Sequence, residues 1–197
     1  MTAASGTDLP AYKQARRSQI VAAAMAALKV HDYDQIQMRD IAEDAQVALG
    51  TLYRYFSSKE HVYAAVLQEW ARPVFVAEGA DPRPAEARVR AKVATILASF
   101  ERWPGFFRVC MLLQNSTDPN ATALMAEFSD AAVDTLARDF AALGEQAAAD
   151  AAVMLWAVVN TVLSAAILRG DPMADAARIS NAFVDLIAPR LAAAEQR

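Results

Sequence analysis

Between Val47 and His61 the chain reads VALGTLYRYFSSKEH, which gathers Tyr53, Arg54, Tyr55 and Lys59 around the small residues Ala48, Gly50 and Thr51. No Cys or Ser-elbow pattern lies near His61, so no catalytic motif is read here. The set suits the grip of a polyanion. Ring hydroxyls and cations hold phosphates and fix register, while small residues let a helix come close to base edges. Leu52 and Phe56, four residues apart, mark the opposite, inward face. Leu49 offers apolar contact of the kind that suits a thymine methyl. Lys59 opens the next helix, where free backbone amides and the dipole also favour a phosphate.

A helix of this kind needs others to hold it. Ile20, Val21, Ala24, Ala27 and Leu28 keep a helical period from about Ala11 to Val30. HDYDQIQ breaks the pattern, and Met38, Ile41, Ala42 and Ala45 start a short amphipathic helix. AQVA joins it to the helix of Leu49, Leu52 and Phe56, which makes a helix-turn-helix with a preceding helix to bury its back. SSKE then supplies a cap from Ser57 or Ser58, with Glu60 in the first turn of a helix running to about Ala77. After GADPRP, with Gly79, Pro82 and Pro84, helices are expected over 85–102, 104–115, 120–142, 147–169 and 173–194. The fold class is all-α with about nine helices: a tail over 1–10 expected to be disordered, a DNA-binding unit over 11–58 and a larger unit over 59–197.

The 197 residues suffice for a sizeable core, and a 55% hydrophobic, alanine-rich composition favours helices. A single cysteine, Cys110, rules out an internal disulfide framework and a cysteine-based zinc site. His31 and His61 belong to no metal motif, and no glycine-rich phosphate loop occurs, so no cofactor, metal or enzymatic activity is expected. The net charge of −4 is a weak argument against nucleic acid, because residues 1–60 balance seven basic against seven acidic side chains and the excess acid lies beyond them. No secretory signal is read at the start. No uncharged apolar run is read as reaching the roughly 18 residues of a membrane span, so a cytoplasmic protein is expected.

Ile41-Ala42, Ala45, Val47, Gly50-Thr51-Leu52-Tyr53, Phe56 and Lys59-Glu60, within MRDIAEDAQVALGTLYRYFSSKEHVYAAVL, resemble the DNA-binding domain of the TetR family of bacterial transcriptional regulators. The match is close over about residues 16–67. It implies a nine-helix fold and a homodimeric repressor of palindromic operator DNA, released when the larger domain binds a small molecule. Three positions depart from the family pattern. Gln46 replaces the usual turn glycine, Ala48 the Ser or Thr before the recognition helix, and Gln37 the Thr before the second helix. QMRDIA and VALGTLYRYF further resemble actinobacterial members that control sterol and lipid catabolism, which implies an acyl-CoA or steroid-like ligand. By the same resemblance Arg39 reaches a guanine edge beside the groove, while Arg16 and Arg17 are candidates for phosphate contact from the first helix.

Trp70, Val74, Trp103, Phe107, Met111, Met125, Phe128 and Trp156 are large apolar residues that either fill a core or line an apolar tunnel with few polar anchors. Gln114, Asn115 and Asn160 are the candidate anchors. Arg72, Arg102 and Arg108 are candidates for a CoA phosphate or a carboxylate. The stretch 151–170 is apolar on more faces than a surface helix needs. With the 173–191 helix it offers Val159, Leu163, Ile167, Ile179, Phe183, Leu186 and Ile187 to a dimer interface. The competing reading is an α-helical module that binds lipid or acyl groups and no DNA; it requires the 47–59 stretch to have lost its polar residues, which it has not.

Overall fold

The computed structural model describes residues 10–75 and 81–196, and these form nine α-helices with no strand. They are α1 (Ala11–Leu28), α2 (Met38–Asp44), α3 (Leu49–Tyr55), α4 (Lys59–Phe75), α5 (Ala85–Arg102), α6 (Pro104–Leu113), α7 (Pro119–Asp139), α8 (Glu145–Arg169) and α9 (Met173–Glu195). Two 3₁₀ turns, Tyr33–Gln35 and Ala141–Leu143, fall where a loop and a helix end were expected. The expected tail over residues 1–9, and Gly79, lie outside the described residues.

The starts and stops follow local chemistry. Asp40 reaches back to accept the Gln37 amide at 3.2 Å, which secures the entry of α2. Of the two serines before α4, Ser58 is the cap, its hydroxyl accepting the His61 amide at 3.0 Å. Asp118 caps α7 by accepting the amides of Asn120 and Ala121. Gly144 at φ 90° and Gly170 at φ 81° take backbone conformations that close the turn before α8 and the end of α8. The expected LGEQ linker shrinks to little more than Gly144, because Glu145 already belongs to the first turn of α8.

One apolar core runs through the whole chain. Val62, Tyr63, Ala64, Val66 and Leu67 of α4 are fully buried, since α4 packs on α1 at one side and α7 and α6 at the other. Helix α4 is therefore the rigid link between the α1–α3 head and the α5–α9 body. Buried ion pairs tie the body together: Asp139 of α7 takes Arg88 at 2.8 Å and Lys92 at 2.5 Å, both from α5. Arg90 joins α5 to α9 through Asp185 and Asn181.

Residues 151–168 carry no charge, so α8 is long and apolar enough to cross a membrane by length and composition, contrary to the reading of the sequence. A core helix passes the same test. Here Ala148, Ala151, Ala152, Leu155, Val159, Val162 and Leu163 form a face of α8 buried inside the protein, in a helix packed against α7 and α9.

Candidate nucleic-acid interface

Helix α3 has two chemically distinct faces. Leu52 and the following Phe56 are fully buried against the head, while Ala48, Leu49, Gly50, Tyr53 and Arg54 are exposed. The exposed large apolar residue Leu49 and the half-exposed ring of Tyr53 therefore stand at the surface with nothing of this chain covering them. Gly50 is informative. A Cβ there would meet nothing within 4 Å, and its φ is not positive, so the fold does not require glycine. A glycine costs about 1 kcal/mol relative to alanine inside a helix.

The turn before α3 is where the family's glycine is missing. Gln46 adopts φ 53°, the left-handed region, and is the one non-glycine residue to do so among the described residues. Ala48 occupies the N-cap position with no side-chain hydrogen bond, so the first amides of α3 are left open on the exposed side.

The basic residues separate into two classes. Arg54 donates to Thr51 Oγ1 at 3.1 Å and Arg16 to Gln19 Oε1 at 3.1 Å, both on the surface and both free to exchange these bonds for a phosphate. Arg39 and Gln37 are exposed at the start of α2. Arg17, by contrast, turns inward, its guanidinium 5.2 Å from the centre of the Phe56 ring. Burial lowers its pKa, with the charges of Glu69 and Glu127 opposing. Lys59 is also held: its ammonium donates to the Tyr33 carbonyl and lies 3.9 Å from the centre of the Tyr33 ring. Burial lowers the Lys59 pKa and, with the nearby Glu60 and Asp34 charges, raises that of Tyr33 to about 12. Sequence reasoning missed Tyr12 and Lys13. They line a groove of about 460 Å³ between α1 and α3 with Arg17, Arg54 and Tyr55. Lys13 precedes Arg16 and Arg17 by three and four residues, a helical spacing that would have placed all three near one face.

The joint between α3 and α4 is fastened to the body. The Ser57 hydroxyl donates to Asp118 at 2.7 Å and receives Asn120 Nδ2 at 3.0 Å, while His61 Nδ1 lies 3.1 Å from that hydroxyl and accepts the Ser57 amide. Ser116 donates to Glu60 beside it. For Asp118, burial is outweighed by hydrogen bonds from Ser58, Ser57 and the Ala121 and Asn120 amides, which hold its carboxyl well below the usual range. These bonds tie the α6–α7 connection to the end of the exposed helix.

Residues 20–66, which span the second half of α1 through the first half of α4, match the family of bacterial regulatory proteins, tetR family. This stretch belongs to the DNA-binding region of the TetR family. Over 58 residues it is 47% identical to the HTH-type transcriptional repressor KstR of Mycobacterium tuberculosis, covering 29% of this chain and 26% of that protein. An uncharacterised HTH-type transcriptional regulator of the same organism is 32% identical over 113 residues, 57% of this chain and 53% of the relative. The chain thus spans between about a quarter and about half the length of these curated relatives. Among solved structures, a TetR transcriptional regulator from Rhodococcus sp. RHA1 superposes with a TM-score of 0.76 at 18% identity, over 89% of this chain and 97% of that one. FadR from Bacillus subtilis, solved in complex with stearoyl-CoA, does so with 0.60 at 19% identity, over 86% and 96%. These two likenesses are of fold.

In the body the candidate ligand residues do not share one cavity. Trp70 and Phe107 belong to an aromatic cluster in which Trp70 stacks on Phe106 at 4.8 Å and Phe100 meets Phe107 edge-on at 5.2 Å. Met125 and Phe128 are buried in α7, with Trp156 of α8 6.5 Å from Phe128. Met111 contacts Ser164, and Asn160 donates to the Trp156 carbonyl of its own helix. Gln114 and Asn115 are exposed at the end of α6 and do not reach the interior. Trp103 faces Lys29, away from the α7–α8 seam. The Val74 side chain lies outside the described residues. A groove of about 680 Å³ between α1 and α4 includes Trp70, with Val21, Met25 and Ala65 on its apolar side and Arg17, Gln68, Glu69 and Arg72 on its polar side, Arg72 lying 3.7 Å from Glu69.

The dimerisation candidates also divide. Val159, Leu163 and Ile187 are buried inside the protomer, because α8 and α9 use those faces against each other and the body. Ile167 and Phe183 are partly covered. The uncovered apolar surface is at Ile179 and Leu186 of α9 and at Val153, Met154 and Leu168 of α8, three residues that sequence reasoning missed.

Proposed function

We propose that this TetR-family chain is a cytoplasmic repressor that binds palindromic operator DNA as a homodimer and is released by an apolar small molecule of the acyl-CoA or steroid-like class. The observation that carries the reading is α3, whose exposed face combines Gly50 without structural need, Leu49, Tyr53 and Arg54 over a fully buried Leu52 and Phe56. Lys13, Arg16, Arg54 and Tyr55 hold phosphates around it, and Arg39 stands beside the groove. The apolar residues exposed on α8 and α9 join two protomers, and their shared axis sets two α3 helices one turn of duplex apart, roughly 34–36 Å, or a multiple of it.

The α1–α4 groove suits the inducer, because its volume falls in the usual range of small-molecule sites and it pairs an apolar wall containing Trp70 with Gln68 and with Arg72, which an anionic end draws from its exposed pair with Glu69. FadR, which shares the fold, is solved with stearoyl-CoA, and this supports a lipid-derived ligand. A ligand there touches both the head and α4, and it favours one spacing of the α3 helices only through unequal affinity for the two arrangements. A coupling of about 3 kcal/mol weakens operator binding roughly 150-fold.

Gel-shift titration on the DNA upstream of the chain's own gene tests the first half: Tyr53→Ala and Arg54→Ala should each abolish or strongly weaken the shift, and unaltered binding would remove α3 from the interface. Titration of a long-chain acyl-CoA or a steroid acid with and without operator tests the second. Linkage requires operator to lower ligand affinity by the factor by which ligand lowers operator affinity. An unchanged ligand affinity would leave a DNA binder that this ligand does not switch.

A further inference from the structure

Away from the α3 face and the α1–α4 groove, a notch gathers cations that the fold leaves unpaired. The end of α1 and the loop after it, with Lys29, His31 and Asp32, face the α5–α6 joint, with Arg102, Trp103 and Arg108, around about 330 Å³. Lys29 Nζ and the Arg102 guanidinium carbon each lie 5.5 Å from the centre of the Trp103 ring. Asp32 is the one carboxylate among the lining residues, and Glu101, adjacent in sequence, does not line the notch.

Elsewhere in the body most arginines are neutralised, Arg138 and Arg190 being without an ion pair among the described residues. Arg72, Arg83, Arg88, Arg90, Arg169 and Arg178 each form an ion pair. Among the described residues no hydrogen bond or ion pair takes the side chains of Lys29, Arg102 or Arg108, in a chain whose net charge is −4. Cation–π contact with Trp103 accounts for the direction of two of these groups. It does not account for Arg108 converging with Lys29 and Arg102 on the same notch, an arrangement of three exposed cations that a bound anion favours. The volume lies at the small end of ligand sites, enough for a chain of phosphates.

We infer that this notch binds a polyphosphorylated small molecule, such as a nucleoside diphosphate or triphosphate, whose phosphate oxygens are shared by Lys29, Arg102 and Arg108. Because α1 belongs to the head and the α5–α6 joint to the body, the bound anion bridges the two and biases their relative setting. The site is separate from the inducer groove of the preceding section, and its occupancy does not rest on operator binding.

Isothermal titration of the full chain with inorganic tripolyphosphate and with ATP, at constant ionic strength, tests it. Saturable binding to both is expected. The double variant Arg102→Gln, Arg108→Gln should weaken binding about tenfold or more for each charge-assisted contact removed. Arg54→Gln, on the α3 face, should leave anion binding unchanged. ATP binding more tightly than tripolyphosphate supports a nucleoside ligand, and equal affinity supports recognition of the phosphates alone. Three results overturn the inference: no saturable binding to either anion, equal binding by the double variant, or loss of binding in Arg54→Gln. Circular dichroism checks the variant's fold, and Arg108→Gln alone serves if the double variant unfolds. In the absence of added anion the double variant should bind operator like the parent; a weaker complex with a shallower salt dependence would make the notch a DNA-backbone contact and overturn it as well.

Discussion

Gly50 and Gln46 stand four residues apart and are mismatched to the fold in opposite senses. Gly50 lies in a helix with open space where a Cβ would go, so Gly50→Ala should raise stability by about 0.5–1 kcal/mol. If the bare backbone serves close approach to DNA, the same change should weaken operator binding; gain in both would show that the glycine has no recognition role. Gln46 bears the left-handed conformation that glycine takes without steric cost. Gln46→Gly relieves about 1–2 kcal/mol of strain and adds a smaller entropy to the unfolded chain, so the urea midpoint should rise modestly. A fall would mean that the Gln46 side chain makes a stabilising contact of its own. His61 is the residue through which pH acts on the head–body joint. Burial lowers its pKa below 6.5, Asp118 opposes this and Arg17 adds to it. The unfolded chain then takes up a proton that the folded chain refuses, so stability present above pH 6.5 is lost as pH falls through the window to the lowered value. Asp118, depressed in the fold, contributes stability that is lost at still lower pH. Denaturant titrations should show His61→Gln flattening the loss between about pH 7 and pH 5, and Asp118→Asn flattening it below about pH 4.

At the scale of elements, the α5–α7 contact depends on Asp139, whose side chain is 7% exposed and holds two cations. Removing one partner of a buried pair typically costs 3–5 kcal/mol; with Arg88 and Lys92 about a fifth exposed, Asp139→Ala should cost about 2–3 kcal/mol in a urea titration. Ser180 of α9 offers a contrast, because its fully buried hydroxyl has no hydrogen-bond partner among the described residues. Leu186, on the same helix, is 81% exposed. In the proposed dimer Leu186→Glu should leave the protomer's circular dichroism unchanged while sedimentation shifts from dimer to monomer and operator affinity falls. A dimer that survives the substitution would place the interface elsewhere.

For the whole molecule, affinity for DNA must come from few charges, since the chain is acidic overall. Arg17 and Lys59 are engaged within the head, which leaves Lys13, Arg16 and Arg54 for phosphates around α3, with the exposed Arg39 assigned to a base edge. Three per half-site give about six neutralised phosphates in a dimer and a slope of log K against log salt near −5. Lys13→Ala should flatten that slope by about 2, two phosphates per dimer, and should weaken all operator sequences alike. A flat response of the parent protein would mean that α3 is not the binding surface.

The helices and both faces of α3 were legible in the sequence because they are local properties. A 3.6-residue period places Leu52 and Phe56 on one side and Tyr53 and Arg54 on the other, and Ser58 and Gly170 act on backbone groups a few residues away. The departure at Gln46 could be read too, since only one backbone region fits that turn. The inward choice of Arg17 and Lys59 could not, because a long flexible cation settles on whatever ring or carbonyl another element presents, here Phe56 and Tyr33. Nor could the sequence say which side of α8 is buried: with no charge over residues 151–168 its pattern has no polar face to orient it. Packing against α7 and α9 decided that Val159 and Leu163 go in and Val153, Met154 and Leu168 stay out. The same holds for Lys29, Arg102 and Arg108, distant along the chain and brought to one notch only by the docking of α1 against the start of α6, since attraction for an anion depends on distance in space and is blind to distance in sequence.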